Sequence, residues 1–434
     1  MSYPNNLIIN QSPSINGEVE IPGDKSISHR SILIASVAEG TSKINNFLYS
    51  DDCMSTVKAM EQLGVEIENN NMSLMVKGRG LRGLIKPKSI LDAGNSGTLI
   101  RLLSGILATQ NFSSSITGDQ SLIKRPMERI IKPLSLIGSN IESNSGKAPI
   151  KIKPADKLSP ISYTQEVASA QVKSCLMLAS LFINGKSTFI ESIPTRDHTE
   201  NMLQLFEYPI ERNNTSITIN GLYQHKAKEI FIPSDISSAA FFIVAALISK
   251  DSRVLMKNIN INPLRYGLIT VLLSMGANID VKNKRTISNE LVADIEVKYS
   301  KLKGININSN IIPSLIDELP ILFIACASSS GISIINGIEE LRFKESDRIY
   351  SMQKGLEKIG IKVESTNDSI TIKGGTINGG EIDSYDDHRV AMSFAICGLV
   401  SKKPITIKNT KNISTSFPQF VNLLRDLGMN IYEI

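Results

Sequence analysis

Met60-Glu-Gln-Leu-Gly64-Val-Glu-Ile67 is the stretch that decides the fold: the tail of an amphipathic helix, a glycine, then a strand with alternating apolar residues. A glycine at that point suits a left-handed C-cap, after which the chain turns at once into the strand. The pattern returns as Leu134-Ser-Leu-Ile-Gly138-Ser-Asn-Ile141, Leu272-Leu-Ser-Met-Gly276-Ala-Asn-Ile279, Leu356-Glu-Lys-Ile-Gly360-Ile-Lys-Val363 and Leu423-Leu-Arg-Asp-Leu-Gly428-Met-Asn-Ile431. Leu203-Gln-Leu-Phe-Glu207-Tyr-Pro-Ile210 fills the sixth place without the glycine. Copies lie about seventy residues apart, the spacing of a large repeated supersecondary unit.

Three units precede Pro233 and three follow it. Polar, Gly-containing connections near 220–228 and 232–235 suit a domain crossing. The expected division is an N-terminal three-repeat domain over 22–233 and a C-terminal one over 1–21 and 234–434. The cleft between two such domains is the expected ligand site. A first strand is expected near Ser14–Ile21.

A chain of 434 residues exceeds what one core usually supports, which agrees with that division. With 41% hydrophobic and 21% charged residues, the composition is that of a soluble globular protein. No basic, apolar leader opens the chain, and the longest strongly apolar run, Ala239–Ile248, is too short to span a bilayer and reads as a buried helix. Cys53, Cys175, Cys326 and Cys397 are widely spaced, so neither metal-ligand spacing nor a disulfide framework emerges, and a reducing cytoplasm is expected. The net charge of +5 is scattered, and aromatics are 5% with no Trp. A nucleic-acid surface would need a concentrated basic stripe or stacking aromatics.

Chemistry concentrates where polar clusters interrupt regular patterning. Ile21-Pro-Gly-Asp-Lys-Ser-Ile-Ser-His-Arg30 packs Lys25, Ser26, Ser28, His29 and Arg30 just ahead of an apolar segment. Pro22-Gly23 reads as a turn, and Asp24 or Ser26 as an N-cap. A helix start with a Lys and an Arg suits a phosphate or carboxylate. Asp92-Ala-Gly-Asn-Ser-Gly-Thr-Leu-Ile-Arg101 is a Gly-rich turn into a helix, and Gly97 admits close backbone approach. Lys124-Arg-Pro-Met-Glu-Arg129 puts Arg125 before a Pro that suits a first helical turn. Ser169-Ala-Gln171 opens an apolar helix: Ser169 is an N-cap or a ligand contact, and Gln171 can bond a ligand hydroxyl. Arg196 stands at another helix start.

In the second half, Asp317 stands at the entrance to the buried-looking run Ile321–Ala327, where an acid either caps a helix or transfers protons. Leu341-Arg-Phe-Lys-Glu-Ser-Asp-Arg348 crowds Arg342, Lys344, Glu345, Asp347 and Arg348 at the start of an amphipathic helix. Asp386-Asp-His-Arg389 sets His388 and Arg389 before an apolar helix. Arg30, Arg125, Arg348 and Arg389 thus all stand at or near predicted helix starts. Arg forks bind phosphate and carboxylate bidentately, so the set points to polyanionic small molecules. Asp317, Glu345 and Lys25 could supply acid–base chemistry.

Together these motifs closely resemble the 3-phosphoshikimate 1-carboxyvinyltransferases, the EPSP synthases. The resemblance runs from Pro22-Gly-Asp-Lys-Ser-Ile-Ser-His-Arg30 through Gly94-Asn-Ser-Gly-Thr98, Lys124-Arg-Pro126, Ser169-Ala-Gln171, Lys344-Glu-Ser-Asp-Arg348 and Asp387-His-Arg389 to Thr415-Ser-Phe-Pro418. It implies a two-domain, inside-out α/β barrel, each domain built of three βαβαββ repeats with helices inside and sheets outside. The first strand then belongs to the C-terminal domain. The implied reaction, a step of the shikimate pathway toward chorismate and the aromatic amino acids, moves the enolpyruvyl group of phosphoenolpyruvate to the 5-hydroxyl of shikimate 3-phosphate. Neither a metal nor an organic cofactor is implied; the expected partners are the two small substrates, with no nucleic acid or membrane, for a cytoplasmic monomer.

By the same resemblance, Asp317 is the base at the hydroxyl, while Lys25 and Glu345 share the proton traffic at the methylene carbon. Shikimate 3-phosphate falls to Lys25, Ser26, Arg30, Ser169, Gln171, Arg196, Asp317 and Lys344. Phosphoenolpyruvate falls to Lys25, Gly97, Arg125, Gln171, Arg348 and Arg389. The chain departs from part of the family at Ala170, where many members have serine, and at Thr415, where many have lysine. Both changes, with Asp24 and His29, match the family's second sequence class, which includes glyphosate-tolerant members, some with Ala at the Gly97 position. Gly97 leaves room for that inhibitor, so partial tolerance is expected.

Two alternatives use related architecture. UDP-N-acetylglucosamine enolpyruvyl transferases commonly carry a Cys in a loop before an Arg-Pro pair, and 117–125 has none. RNA 3′-terminal phosphate cyclases need a nucleophilic His and a nucleic-acid surface. Outside the opening motif only His388 has a promising setting, and the basic stripe is missing.

Overall fold

All six repeats end their second helix in one way. At Gly64, Gly138, Gly276, Gly360 and Gly428 φ lies between +88° and +97°. The N–H of the following residue then donates back to a carbonyl five residues earlier: Val65 to Met60, Ser139 to Leu134, Ala277 to Leu272, Ile361 to Leu356 and Met429 to Leu424, at 2.9–3.2 Å. This is the Schellman closure, which satisfies carbonyls that the helix end would leave unpaired. At the sixth place Glu207 adopts φ +57°, and Tyr208 makes the same bond to Leu203 at 2.9 Å. A non-glycine residue in that region costs roughly 1–2 kcal/mol, so the geometry survives loss of the residue that favours it.

The computed structural model describes residues 4–70 and 73–434. Its α-helices are α1 (Lys25–Ser36), α2 (Asp51–Gln62), α3 (Gly97–Leu107), α4 (Glu128–Leu136), α5 (Ala170–Ser180) and α6 (His198–Leu205), followed by α7 (Ile236–Ile248), α8 (Gly267–Ser274), α9 (Leu319–Ala327), α10 (Arg348–Lys358), α11 (His388–Cys397) and α12 (Phe420–Asp426). The chain divides into two compact units. The N-terminal unit is Gly23–Ile232 with Ile287–Glu290; the C-terminal unit is Met1–Pro22, Pro233–Thr286 and Leu291–Ile434.

Six four-stranded sheets accompany the helices. In the shared plan, a parallel edge strand precedes the first helix of a repeat, its neighbour lies between the two helices, and an antiparallel hairpin completes the sheet; two of the six sheets depart from it. The middle repeat of the N-terminal unit shows the plan in the order Leu91–Asp92, Ser114–Thr117, Lys147–Lys153, Asn140–Asn144. The first repeat borrows its edge strand, Glu229–Phe231, from the far end of that unit. In the C-terminal unit, Asn6–Ile9 pairs with both Ile405–Lys408 and Ile431–Glu433, taking the place of the hairpin's return strand. Asn16–Val19, the first strand expected from the sequence, pairs parallel with Arg253–Asn260 in the same unit. Asn6–Ile9 lies outside that expectation, because the run Asn-Leu-Ile-Ile is too short and too uniformly apolar to show an alternating period.

Burial separates helices from sheets. Every residue of α7 and α9 is buried, and α1, α3, α5 and α11 are buried along almost their whole length. Helices apolar all round belong inside a core. The strands alternate instead: Lys147–Lys153 buries Ala148, Ile150 and Ile152 and exposes the residues between them. One wet face and one dry face put the sheets outside the helices within each unit. Each unit has its own hydrophobic cluster. Among the described residues no helix is long and apolar enough to cross a membrane.

Candidate active site

Because the helices beginning each repeat lie inside, their N-termini gather polar side chains at the ends of apolar rods. Each unpaired N–H group and the positive end of the macrodipole favour an anion there. In the N-terminal unit Asp24 caps α1 by accepting from the Ile27 N–H at 2.9 Å, so Asp24 rather than Ser26 is the cap. Lys25 is the first helical residue, and its Nζ lies 2.5 Å from Asp52 Oδ2 in the first turn of α2.

Arg30 is buried, and each of its three nitrogens makes one hydrogen bond. Nε donates to Thr199 Oγ1 at 2.7 Å, one terminal nitrogen to Ser174 Oγ at 2.7 Å and the other to the Ser26 carbonyl at 2.9 Å. Burial pulls its pKa down to about 10, with Glu200 opposing, which leaves it a cation at neutral pH. His29 joins α1 to α3: Nδ1 is 2.6 Å from Thr56 Oγ1, and Nε2 is 3.4 Å from Ser96 Oγ, the residue that caps α3. Burial, then Lys25 and Arg30, hold the His29 pKa well below its usual 6.5, so the ring is neutral.

Gly97 opens α3. A Cβ there would stand 2.9 Å from a terminal nitrogen of Arg101 and 3.1 Å from one of Arg125. Arg101 donates to Gln171 Oε1 at 2.8 Å and reaches the Pro126 carbonyl at 3.3 Å, while Gln171 Nε2 donates to Thr98 Oγ1 at 3.1 Å. Arg125 donates to Asn95 Oδ1 at 2.8 Å. Pro126 does not open the next helix: Arg125 closes a 3-10 turn on Leu122, Met127 bonds Gly146, and α4 begins at Glu128. Ser169 caps α5 by accepting from Val172, and Ala170 is the first helical residue. Arg196 lies two residues before α6. The unit thus brings Gly97, Arg125 and Gln171 together through Arg101, and Lys25, Ser26 and Arg30 along α1.

The C-terminal unit carries a second set. Asp317 lies two residues before α9, with its Oδ1 3.6 Å from Lys344 Nζ and 3.9 Å from Arg348. Its backbone carbonyl accepts from Arg389 at 2.9 Å. Arg348, 1% exposed, opens α10; its Nε donates to Asp387 Oδ2 at 2.8 Å, and a terminal nitrogen bonds Glu345. Burial alone would lower the Arg348 pKa; Asp387, Glu345 and Asp317 outweigh it and hold the pKa above its usual value. Asp387 also caps α11, accepting from the Arg389 N–H at 2.9 Å. His388 and Arg389 are therefore the first two residues of α11, not residues before it. Three cations (Lys344, Arg348, Arg389) and three carboxylates (Asp317, Glu345, Asp387) interleave. Thr415, in place of the lysine, bonds the Asn412 carbonyl at 2.7 Å.

Three residues escaped the sequence reading. Asp52 meets Lys25 from 27 positions away, which no local pattern reveals. Arg101 sits four residues after Gly97, on the same helix face, so its spacing was a usable signal. Lys173 is the only charged residue of α5, and a lone lysine in an apolar helix signals a buried ion pair.

A family model described as EPSP synthase (3-phosphoshikimate 1-carboxyvinyltransferase) matches residues 9–424. The chain is 48% identical over 429 residues to the 3-phosphoshikimate 1-carboxyvinyltransferase of Legionella pneumophila (strain Lens), covering 99% of each protein. It is 48% identical over 423 residues to that of Coxiella burnetii (strain CbuK_Q154), covering 97% of this chain and 96% of the relative. A solved structure of EPSP synthase from Acinetobacter baumannii superposes with a TM-score of 0.88 at 44% identity, covering 98% of this chain and 99% of that one.

Proposed function

The chain belongs to the EPSP synthase family, with that family's two-domain fold, and on this premise we propose that it transfers the enolpyruvyl group of phosphoenolpyruvate to the 5-hydroxyl of shikimate 3-phosphate, releasing phosphate. The observation that carries the reading is Asp317 set beside Lys344 and Arg348 with Arg389 on its carbonyl. A carboxylate fixed between these cations is aimed by them, and a base must lie aimed within reach of the substrate hydroxyl it serves.

In the first step Asp317 takes the proton of the 5-hydroxyl, whose oxygen bonds C2 of phosphoenolpyruvate while C3 gains a proton, giving a tetrahedral intermediate. In the second, the new methyl group loses a proton, the C2–O bond to phosphate breaks, and the enol ether forms. Lys25 and Glu345 serve the proton transfers at C3. Lys25, Ser26, Arg30, Ser169, Gln171 and Arg196 of one unit, with Asp317 and Lys344 of the other, hold shikimate 3-phosphate. Gly97, Arg125 and Gln171 with Lys25, and Arg348 with Arg389, hold phosphoenolpyruvate. Arg forks suit its carboxylate and phosphate, and the helix starts add positive potential. Both sets serve one pair of substrates, and fixing them together supplies much of the rate gain. The reading includes a monomer, and a reducing cytoplasm, with which four buried, free cysteines agree.

Phosphorus NMR of the protein with both substrates tests the reaction. One enol-ether product and one phosphate should appear per phosphoenolpyruvate consumed. Phosphoenolpyruvate loss without conversion of shikimate 3-phosphate would overturn it.

A further inference from the structure

Ser384-Tyr-Asp-Asp387 leads into α11 on a backbone that its residue types disfavour. Tyr385 and Asp386 stand at φ +55° and +56°, in the left-handed region, and neither is glycine. For a side chain as bulky as Tyr385 that conformation persists only where its surroundings hold it. Within the turn, the Tyr385 N–H donates to Asp383 Oδ1 at 2.8 Å and the Asp387 N–H to the Ser384 carbonyl at 3.1 Å.

A second segment of the C-terminal unit, 409–415, grips this turn from the side. Asn409 Nδ2 donates to Asp383 Oδ1 at 2.9 Å, and its carbonyl accepts from Ser384 Oγ at 2.7 Å. Asn412 Nδ2 donates to the Asp386 carbonyl at 2.5 Å, on the peptide that joins the left-handed pair to Asp387. Asn412 is itself held, because its own carbonyl accepts from Thr415 Oγ1 at 2.7 Å. The segment is anchored in turn by Thr410, whose N–H donates to the Asn5 carbonyl and whose hydroxyl donates to the Pro4 carbonyl, both at 2.8 Å. The proposed chemistry gives Asn412 no task.

Directly after the braced peptide comes Asp387, which is fully buried. Its Oδ1 accepts from the Arg389 N–H at 2.9 Å, and its Oδ2 accepts from Arg348 Nε at 2.8 Å and from Ser346 Oγ at 3.2 Å. The Tyr385 ring meets Tyr350, in the first turn of α10, edge-on with centroids 5.8 Å apart. One turn thus sets the starts of both α10 and α11. A change of backbone angles at Asp386 swings Asp387, and with it both guanidinium groups.

We propose that Asn412 is a positioning residue for phosphoenolpyruvate: its amide holds the Asp386 carbonyl and so keeps the left-handed turn from which Asp387 sets Arg348 and Arg389. The inference rests on the reading above that those two arginines hold phosphoenolpyruvate. Thr415 takes part through its hydroxyl, by fixing Asn412.

Steady-state kinetics with phosphoenolpyruvate varied, beside equilibrium titration of the full-length protein with shikimate 3-phosphate, tests this. Asn412→Ala should raise the KM for phosphoenolpyruvate about tenfold, the size of disturbing a charge-assisted hydrogen bond, with the shikimate 3-phosphate Kd nearly unchanged. Adding Asp386→Gly should return that KM toward wild type, since glycine adopts the left-handed turn without a brace. A merely structural role weakens both substrates alike, or neither, and overturns the proposal; so does a selective rise that the glycine leaves in place. If Asn412→Ala does not fold, Thr415→Val, which removes the hydroxyl that fixes Asn412, decides alone. A selective rise of about threefold in the phosphoenolpyruvate KM supports the proposal, and wild-type kinetics or equal effects on both substrates overturn it. Arg389→Gln separates the premise. If it leaves the phosphoenolpyruvate KM intact, the reading of Arg389 fails and this inference with it; if it raises that KM while Asn412→Ala behaves as wild type, only the positioning role fails.

Discussion

Lys25 Nζ and Asp52 Oδ2 lie 2.5 Å apart, joining the first turns of two consecutive helices of one repeat. The pair is mostly buried, with the aspartate side chain 7% exposed, so solvent screens it little. It aims a long, flexible side chain that would otherwise sample many rotamers.

Asp52→Ala should therefore lower kcat/KM by about a hundredfold, the scale of misplacing a reacting group by roughly 1 Å. Steady-state kinetics with each substrate varied checks this; wild-type kinetics would mean that Lys25 needs no partner.

Gly97→Ala should raise the KM for phosphoenolpyruvate about tenfold, as expected for disturbing a charge-assisted hydrogen bond, while leaving the KM for shikimate 3-phosphate nearly unchanged. The added methyl meets guanidinium nitrogens of Arg101 and Arg125 at 2.9 and 3.1 Å, the ends of flexible side chains, so the fold accommodates it and the anion contacts suffer. Equal effects on both substrates would contradict that division.

His29 sets a pH dependence of stability. Its folded pKa is depressed well below 6.5, first by burial, so below pH 6.5 the unfolded chain binds a proton that the folded one refuses. Stability is therefore present above that value and is lost as pH falls below it, by up to about 1.4 kcal/mol per pH unit. His225, also depressed by burial, adds to the slope. Urea unfolding at about pH 7.5 and about pH 5.5 should show His29→Gln losing about 1.4 kcal/mol less than wild type across that interval. Equal losses would mean that His29 titrates normally in the fold.

The architecture was legible because it rests on local chemistry repeated six times. Gly64, Gly138, Gly276, Gly360 and Gly428 each mark a helix end whose left-handed geometry the sequence anticipates. Glu207 shows that the pattern, not the glycine, carries the repeat. Helix starts were legible at Lys25 and Gly97, where turn and capping residues cluster, and less so at Pro126, where a closed 3-10 turn delays α4 to Glu128. What stayed hidden was long-range pairing. Nothing near Arg348 predicts that Asp387, 39 residues on, will hold its guanidinium while capping another helix. Lys173 stood in plain sight as one charge in an apolar run, but its partners Glu191 and Glu200 are set by the packing of α5 on α6.

The most direct measurement is the initial rate of phosphate release from phosphoenolpyruvate, with and without shikimate 3-phosphate, in the wild-type protein and in Asp317→Ala. Wild type should release phosphate only when shikimate 3-phosphate is present, and Asp317→Ala should bind shikimate 3-phosphate yet release almost none. Release independent of shikimate 3-phosphate, or undiminished in Asp317→Ala, would contradict the proposed reaction or the role of its base.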